Sequence, residues 1–342
     1  MLSSPTRAEI IVIGAGALGL ATAAELKRRG KQPLVLDAQT GLNASQIAAG
    51  MLAPAFEAAL EESGPDRAAI YRLARDLWPE LAERIGLKLD RKGADWIGPR
   101  EPLMGRMAEL GFAVTPTADG FSTNEDWLLD PDEAGPRLLA AAGAAFRAAQ
   151  VEAIEGSAAG VEVHAVGARF TAEAVVIAAG WAAAKLRAPG LGSVLGMVRP
   201  IKGHILKLAG PGTRDISRVT RGPGVYLAPR PDGLMVGASM QPNRSDLTVE
   251  PVVVETLRKA AVDLAPALAE ARVAQARCGV RGTVPDGLPL AGAVKAPGVH
   301  LALAPRRNGW LLAPLVARVV AASIMGGDDP ARGLFPPGRF SR

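Results

Sequence analysis

AEIIVIGAGALGLATAAELKRRG, residues 8–30, opens on an apolar β-branched run and closes on a glycine. Residues 9–13 predict a short buried parallel strand. Gly14, Gly16 and Gly19 follow in the spacing G-x-G-x-x-G. The first glycine permits a tight turn. The second lets the backbone approach a pyrophosphate, and the third lets a helix pack closely on the strand. The start of that helix offers free N–H groups and a partial positive charge to an anion. Gly30 suits its C-cap. A second strand, residues 33–36, ends in Asp37, about where an acid grips a ribose hydroxyl in dinucleotide-binding turns. A glycine-rich turn of another α/β fold is the alternative. Strand, helix, second strand and acid in register favour a dinucleotide.

The 342 residues suffice for two domains with a large core. A hydrophobic content of 49% against 21% charged describes a globular chain. The formal net charge is +5, but basic residues are interleaved with acids and form no long run. That pattern favours an anionic small substrate and gives no reason to expect nucleic acid. Cys278 is the one cysteine, which excludes an intrachain disulfide and a cysteine metal site. His164, His204 and His300 lie far apart in sequence, so no metal is expected. With no secretory signal pattern and no 18-residue uncharged apolar run, the expectation is a soluble cytoplasmic protein without membrane contact.

Residues 38–54, AQTGLNASQIAAGMLAP, are mostly small. Such a stretch lets backbone amides reach a flat or phosphorylated ligand, or simply leads into a helix. Residues 67–85 have helical periodicity broken at Pro79. Residues 87–97 and 111–117 read as strand-like, with a helix at 104–110 between them. A helix starting at Asp130-Pro131 covers 136–145, and strands follow at 146–153 and 160–166. Residues 172–180, AEAVVIAAG, read as a buried strand ending in Gly180. That strand either returns the chain to the nucleotide or is plain core. HILKL and VYLAPRPDGLMVGASM form strands, with Pro231-Asp232-Gly233 as a hairpin turn. They predict an inserted, mostly antiparallel sheet. A helix at 249–264 precedes a turn-rich stretch, 277–292. A strand at 299–304 leads to a helix at 310–325 stopped by Gly326-Gly327.

Six stretches, IGAGALGLATAAEL, ASQIAAGMLAP, RPIKGHILKL, VYLAPRPDGLMVGASM, VRGTVPDGLPLAG and RRNGWLLAP, occur in this order. Together they resemble the flavin-dependent D-amino-acid oxidase superfamily, most closely the glycine oxidases of thiamine biosynthesis. The resemblance implies an α/β protein. A Rossmann-like FAD-binding domain of the glutathione-reductase type would span 1–85, 145–195 and 285–342. A mostly antiparallel substrate domain would span 86–144 and 196–284. The FAD would be non-covalent. By the same resemblance Gly14, Ala15, Gly16, Ala17, Leu18 and Gly19 take the pyrophosphate, and Asp37 with Ala38 takes the adenosine ribose. Ala44, Ser45, Ala49, Gly50 and Met51 take the phosphate and flavin side. Val151 touches adenine and Gly180 closes the site. Arg307, Asn308, Gly309, Trp310 and Leu311 lie against the flavin ring. A helix start beside the ring would stabilise its anionic reduced form, with Pro314 tolerated in the first turn. A plain docking helix fits the same residues.

Oxidising an amino acid at Cα needs positioning more than acid–base groups, because a neutral amine supplies the electron push. A carboxylate is best held by an arginine fork. By resemblance Arg281 binds that carboxylate, Tyr226 adds its hydroxyl, Arg307 lies near flavin and substrate, and Met240 lines the pocket. A surface arginine in a turn and a core tyrosine are the bland alternatives for Arg281 and Tyr226. Cys278 matches no flavin-attachment position and is expected to be a buried inert thiol. The chain departs from glycine oxidases at residues 304–309, APRRNG in place of G-H-x-R-N-G. It also has Gly282, where a proline often follows the arginine, which predicts a less constrained backbone there. The implied reaction is oxidation of glycine or another small amino acid, with oxygen as acceptor and hydrogen peroxide as product. Three alternatives are a D-amino-acid dehydrogenase, a tRNA-modifying FAD enzyme acting on a glycine-like appendage, and a non-catalytic FAD-binding protein. A homo-oligomer is left open.

Overall fold

The computed structural model describes residues 5–326 and 329–340. The chain divides into two compact units: Met1–Gln46, Asp132–Ile201 and Val280–Arg342, and then Ile47–Pro131 with Lys202–Gly279.

The first unit is built on the β-branched run of the opening stretch. Its strand Thr6–Ile13 is flanked in parallel by Pro33–Asp37 and Ala168–Ile177. Ala145–Ala148 extends this sheet beyond Pro33–Asp37, and Val299–Leu303 extends it beyond Ala168–Ile177, both in parallel. Leu290–Ala293 closes that second side antiparallel. Ile11, Val12, Val175, Val176 and Leu301 have no exposed surface, as a parallel sheet covered on both faces requires. The helix Ala17–Arg28 packs against the C-terminal helix Gly309–Met325. Ala21, Ala23, Ala24, Ala317 and Ala321 are buried along them. These small side chains let the two buried helices approach.

The second unit holds a nine-stranded, mostly antiparallel sheet. Its hairpin, Val225–Arg230 and Gly233–Gly237, turns where Pro231-Asp232-Gly233 predicts it, with Arg230 opposite Gly233. Leu206, Leu208, Leu227, Leu234 and Val236 form one face and pack on Leu257 and Ala261 of the helix Pro251–Leu264. Tyr226 points to the other face, because side chains alternate along a strand. Arg221 of the strand Val219–Gly222 is its directly opposed partner and shares that face.

Several expectations change. The helical stretch 67–85 breaks beside Pro79 into two helices, Pro65–Asp76 and Trp78–Arg84. The change is only that the break falls two residues earlier, with Pro79 in the first turn of the second. Of 87–97 only Ala94–Ile97 is strand. The stretch 277–292 is not mainly turns: Arg272–Thr283 is a twelve-residue strand. Pro314 lies beyond the first turn of Gly309–Met325, inside the helix. Gly326, at φ +74°, caps that helix, and Gly327 lies outside the described residues. Residues 47–85 group with the second unit, because the helix Pro54–Leu60 packs on Pro65–Asp76 and Leu103–Glu109. Residues 132–144 group with the first, since the helix Pro131–Ala142 leads directly into its edge strand Ala145–Ala148.

Candidate functional site

The glycine turn sits at the carboxyl end of Thr6–Ile13. Gly14 has φ +111°, and a Cβ there would stand 2.5 Å from the Ala178 carbonyl oxygen. Gly14 N donates to Leu36 O at 2.7 Å. A Cβ on Gly19 would lie 2.0 Å from Gly14 O, so the third glycine does bring the helix onto the turn. Gly16 is the N-cap and has no side chain to cover the helix end. Ser45 Oγ accepts from Ala17 N at 2.9 Å and would lie 3.3 Å from a Cβ on Gly16. Asp37 joins the turn to the loop behind it: Oδ2 accepts from Ala15 N and Oδ1 from Gln39 N, both at 2.8 Å. Each carboxylate oxygen keeps a lone pair for a further donor.

The small-residue stretch begins here. Asn43 Oδ1 accepts from Ser45 N and Gln46 N, starting the short helix Ala44–Ile47. Trp310 Nε1 donates to Ser45 O at 2.9 Å, which fixes the C-terminal helix to the loop. Ala149 N donates to Asp37 O at 2.8 Å, so Val151 starts its strand beside the acid. Gly180 has φ +58° and opens a 3-10 turn after Ala168–Ile177. Residues 14–19, Asp37, Ala38, Ala44, Ser45, Val151 and Gly180 thus all belong to the first unit. Its glycine turn and Asp37 lie at the carboxyl ends of parallel strands, where α/β sheets bind ligands. A helix start capped by a residue without a side chain, a carboxylate acceptor and flanking small residues fit the pyrophosphate and ribose of FAD.

Arg281 and Arg307 also lie on the first unit, both half-buried. Arg281 is on the strand Arg272–Thr283 and not in a surface turn. Arg306 N donates to Gly282 O at 3.0 Å, which ties the backbone beside Arg281 to the loop carrying Arg307. A Cβ on Gly282 would stand 3.2 Å from both Trp181 N and Val198 Cγ1. Gly282 is therefore a close-packing position, and its backbone is held more firmly than the missing proline predicts. Asn308 is buried at the N-cap of Gly309–Met325, followed by Trp310 and Leu311.

Ala49, Gly50, Met51, Tyr226 and Met240 belong to the second unit. Gly50 has φ +82°, and a Cβ would stand 2.2 Å from Leu129 O. Tyr226 crosses the space left by Gly237, whose Cβ would lie 2.3 Å from the tyrosine hydroxyl. Met240 is 37% exposed just beyond the strand Gly233–Gly237. Cys278 is buried, and burial pushes its thiol up, as an inert cysteine requires.

Sequence reasoning missed the charged residues around 49–51. Arg230 Nη2 donates to Ala49 O at 3.1 Å while Nη1 pairs with Asp130 at 2.6 Å. Arg221 Nη2 donates to Glu57 Oε1 at 3.1 Å and to Met51 Sδ at 3.3 Å. Asp126 accepts from Ala55 N at 2.8 Å and Phe56 N at 3.3 Å, and burial pushes its carboxyl up to about 7. Arg230 ends the quoted VYLAPR stretch and Asp130 the segment before a helix; Arg221, Glu57 and Asp126 carry no local signal.

The fold and the glycine turn define a dinucleotide-binding α/β protein. The model of the FAD dependent oxidoreductase family (DAO) matches residues 9–323, and the chain belongs to that family. It is 29% identical to the glycine oxidase of Geobacillus kaustophilus, over 92% of each chain. It is 30% identical to the bifunctional protein ThiO/ThiG of Synechocystis sp., over 98% of this chain and 54% of that protein. The chain therefore spans about half the length of such bifunctional relatives. The crystal structure of glycine oxidase from Geobacillus kaustophilus superposes with a TM-score of 0.84 at 26% identity, covering 95% of this chain and 96% of that one.

Proposed function

We propose that this chain is an FAD-dependent oxidase of glycine or another small amino acid, working in the cytoplasm for thiamine biosynthesis. The likeness to a glycine oxidase over 92% of both chains carries the reading. Bound FAD supplies the hydride acceptor. The neutral substrate amine pushes as the Cα hydride leaves, giving an imine that water converts to keto acid and ammonia. Oxygen takes the two electrons and becomes hydrogen peroxide. Arg281 forks the substrate carboxylate and Tyr226 adds its hydroxyl. Arg307 adds positive charge near the same group, and Met240 shapes the pocket. Asp37 holds the ribose and the Gly14 turn the pyrophosphate. The FAD is non-covalent, in keeping with a buried Cys278.

The test is to purify the protein and follow anaerobic bleaching of its flavin by a panel of amino acids. Bleaching by glycine or a small amino acid, and colour released by acid, are expected. A colourless protein, or a flavin that no amino acid bleaches, would overturn the reading. Turnover with a dye but none with oxygen would replace the oxidase by a dehydrogenase.

A further inference from the structure

Residues 49–51 have little structure of their own. Met51–Leu52 is a two-residue strand paired with Trp127–Leu128, and Gly50 adopts a left-handed conformation. A glycine-containing segment of this kind holds a fixed position only if other groups restrain it. Two of the restraints come from the nine-stranded sheet. Arg230 reaches the carbonyl of Ala49 at 3.1 Å and is anchored by Asp130. Arg221 reaches Met51 Sδ and is anchored by Glu57. Leu129 N donates to Gly50 O at 3.0 Å between them. Arg221 is buried and Arg230 half-buried, their side chains at most 8% exposed. Arg230 is on the strand of Tyr226, and Arg221 is directly across from Tyr226 on the next.

We infer that Arg221 and Arg230 are positioning residues, which clamp residues 49–51 in register with the strand of Tyr226. The inference rests on the proposed function, in which residues 49–51 take the flavin side. A guanidinium suits the task, because one rigid fork can hold a backbone carbonyl and an anchoring carboxylate together. An ammonium in its place keeps the charge and loses that geometry.

The test compares wild-type holoprotein with two variants, Arg230→Lys and the double variant Arg221→Met with Glu57→Gln. The double change avoids leaving Glu57 as a buried unpaired charge. Two quantities are read: the FAD dissociation constant, and the visible absorption and circular dichroism of the flavin at saturation. Losing bonds from a charged donor should raise the dissociation constant about 10-fold to 100-fold. The flavin bands should shift at saturation, since the ring meets a displaced backbone. Unchanged affinity in both variants overturns the clamp. So does weaker affinity with an unaltered spectrum at saturation, which would assign the arginines to stability alone. A colourless wild type removes the proposed function and the clamp with it. A yellow wild type whose variants behave like it removes only the clamp.

Discussion

Gly16 separates two reasons for a glycine. Gly14 and Gly19 are required by the fold, since a Cβ on either would collide with backbone. At Gly16 the nearest atom to a Cβ is the Ser45 hydroxyl, at 3.3 Å, so the fold alone tolerates more there. Gly16→Val should therefore leave a folded protein that has lost most of its FAD, because the branched side chain fills the pyrophosphate's approach. Full flavin content in that variant would refute the assignment. Arg281→Ala should keep FAD and lose roughly 2–5 kcal/mol of binding to the substrate carboxylate. That is on the order of 30-fold to several-thousand-fold in kcat/KM. Arg281→Lys should recover part of it, and an amine without a carboxylate should hardly sense the change. Equal losses on amines and amino acids would move the role to Arg307. The glycine turn and Asp37 at a strand end were legible from their spacing, whereas Tyr226 and Arg281 are assigned by family resemblance alone. Arg221, Glu57, Arg230 and Asp126 were not legible. Arg221 meets Glu57 across 164 positions, and Arg230 meets Ala49 across 181. No local pattern reports such a pairing.

At the scale of elements, periodicity and turn chemistry carried most of the reading. The opening strand, its helix, the hairpin at Pro231-Asp232-Gly233 and the C-terminal helix lie close to where the sequence puts them. Arg272–Thr283 escaped because its glycines and nearby prolines read as turns. Its pairing with Arg199–Ala209 overrides that local preference. The alanine-lined packing of Ala17–Arg28 on Gly309–Met325 also has no local signal. Ala21→Leu, at a position 1% exposed, should overpack it and cost about 1–3 kcal/mol in urea unfolding. A neutral result would mean that the helices are less closely packed. The strand Val299–Leu303 carries a pH-sensitive group. Ser323 Oγ accepts from Ala293 N and lies 3.2 Å from His300 Nδ1, so its own proton can point to the imidazole. Burial lowers this histidine from 6.5 to about 4. In that window the unfolded chain binds the proton first, so stability falls as pH drops from 6.5 toward 4. About 2 kcal/mol of this loss should be present at pH 5. Urea unfolding at pH 7 and pH 5 should show that difference in the wild type and a smaller one in His300→Phe. The same loss in both would place the acid sensitivity elsewhere.

At the scale of the molecule, an FAD-type α/β unit and an antiparallel-sheet unit are assembled from interleaved segments of one chain. That interleaving is why the division at residues 47–85 was not readable: it depends on which neighbours a helix packs on, and no composition shift marks it. Among the described residues no helix is long and apolar enough to cross a membrane. The proposed reaction is oxidation of a small amino acid by oxygen. Oxygen uptake by the purified holoprotein with glycine, assayed together with ammonia, tests it most directly. One oxygen should be consumed per ammonia released, with half of that oxygen returned when catalase is added. Ammonia formed only with an artificial dye, without oxygen uptake, would contradict it.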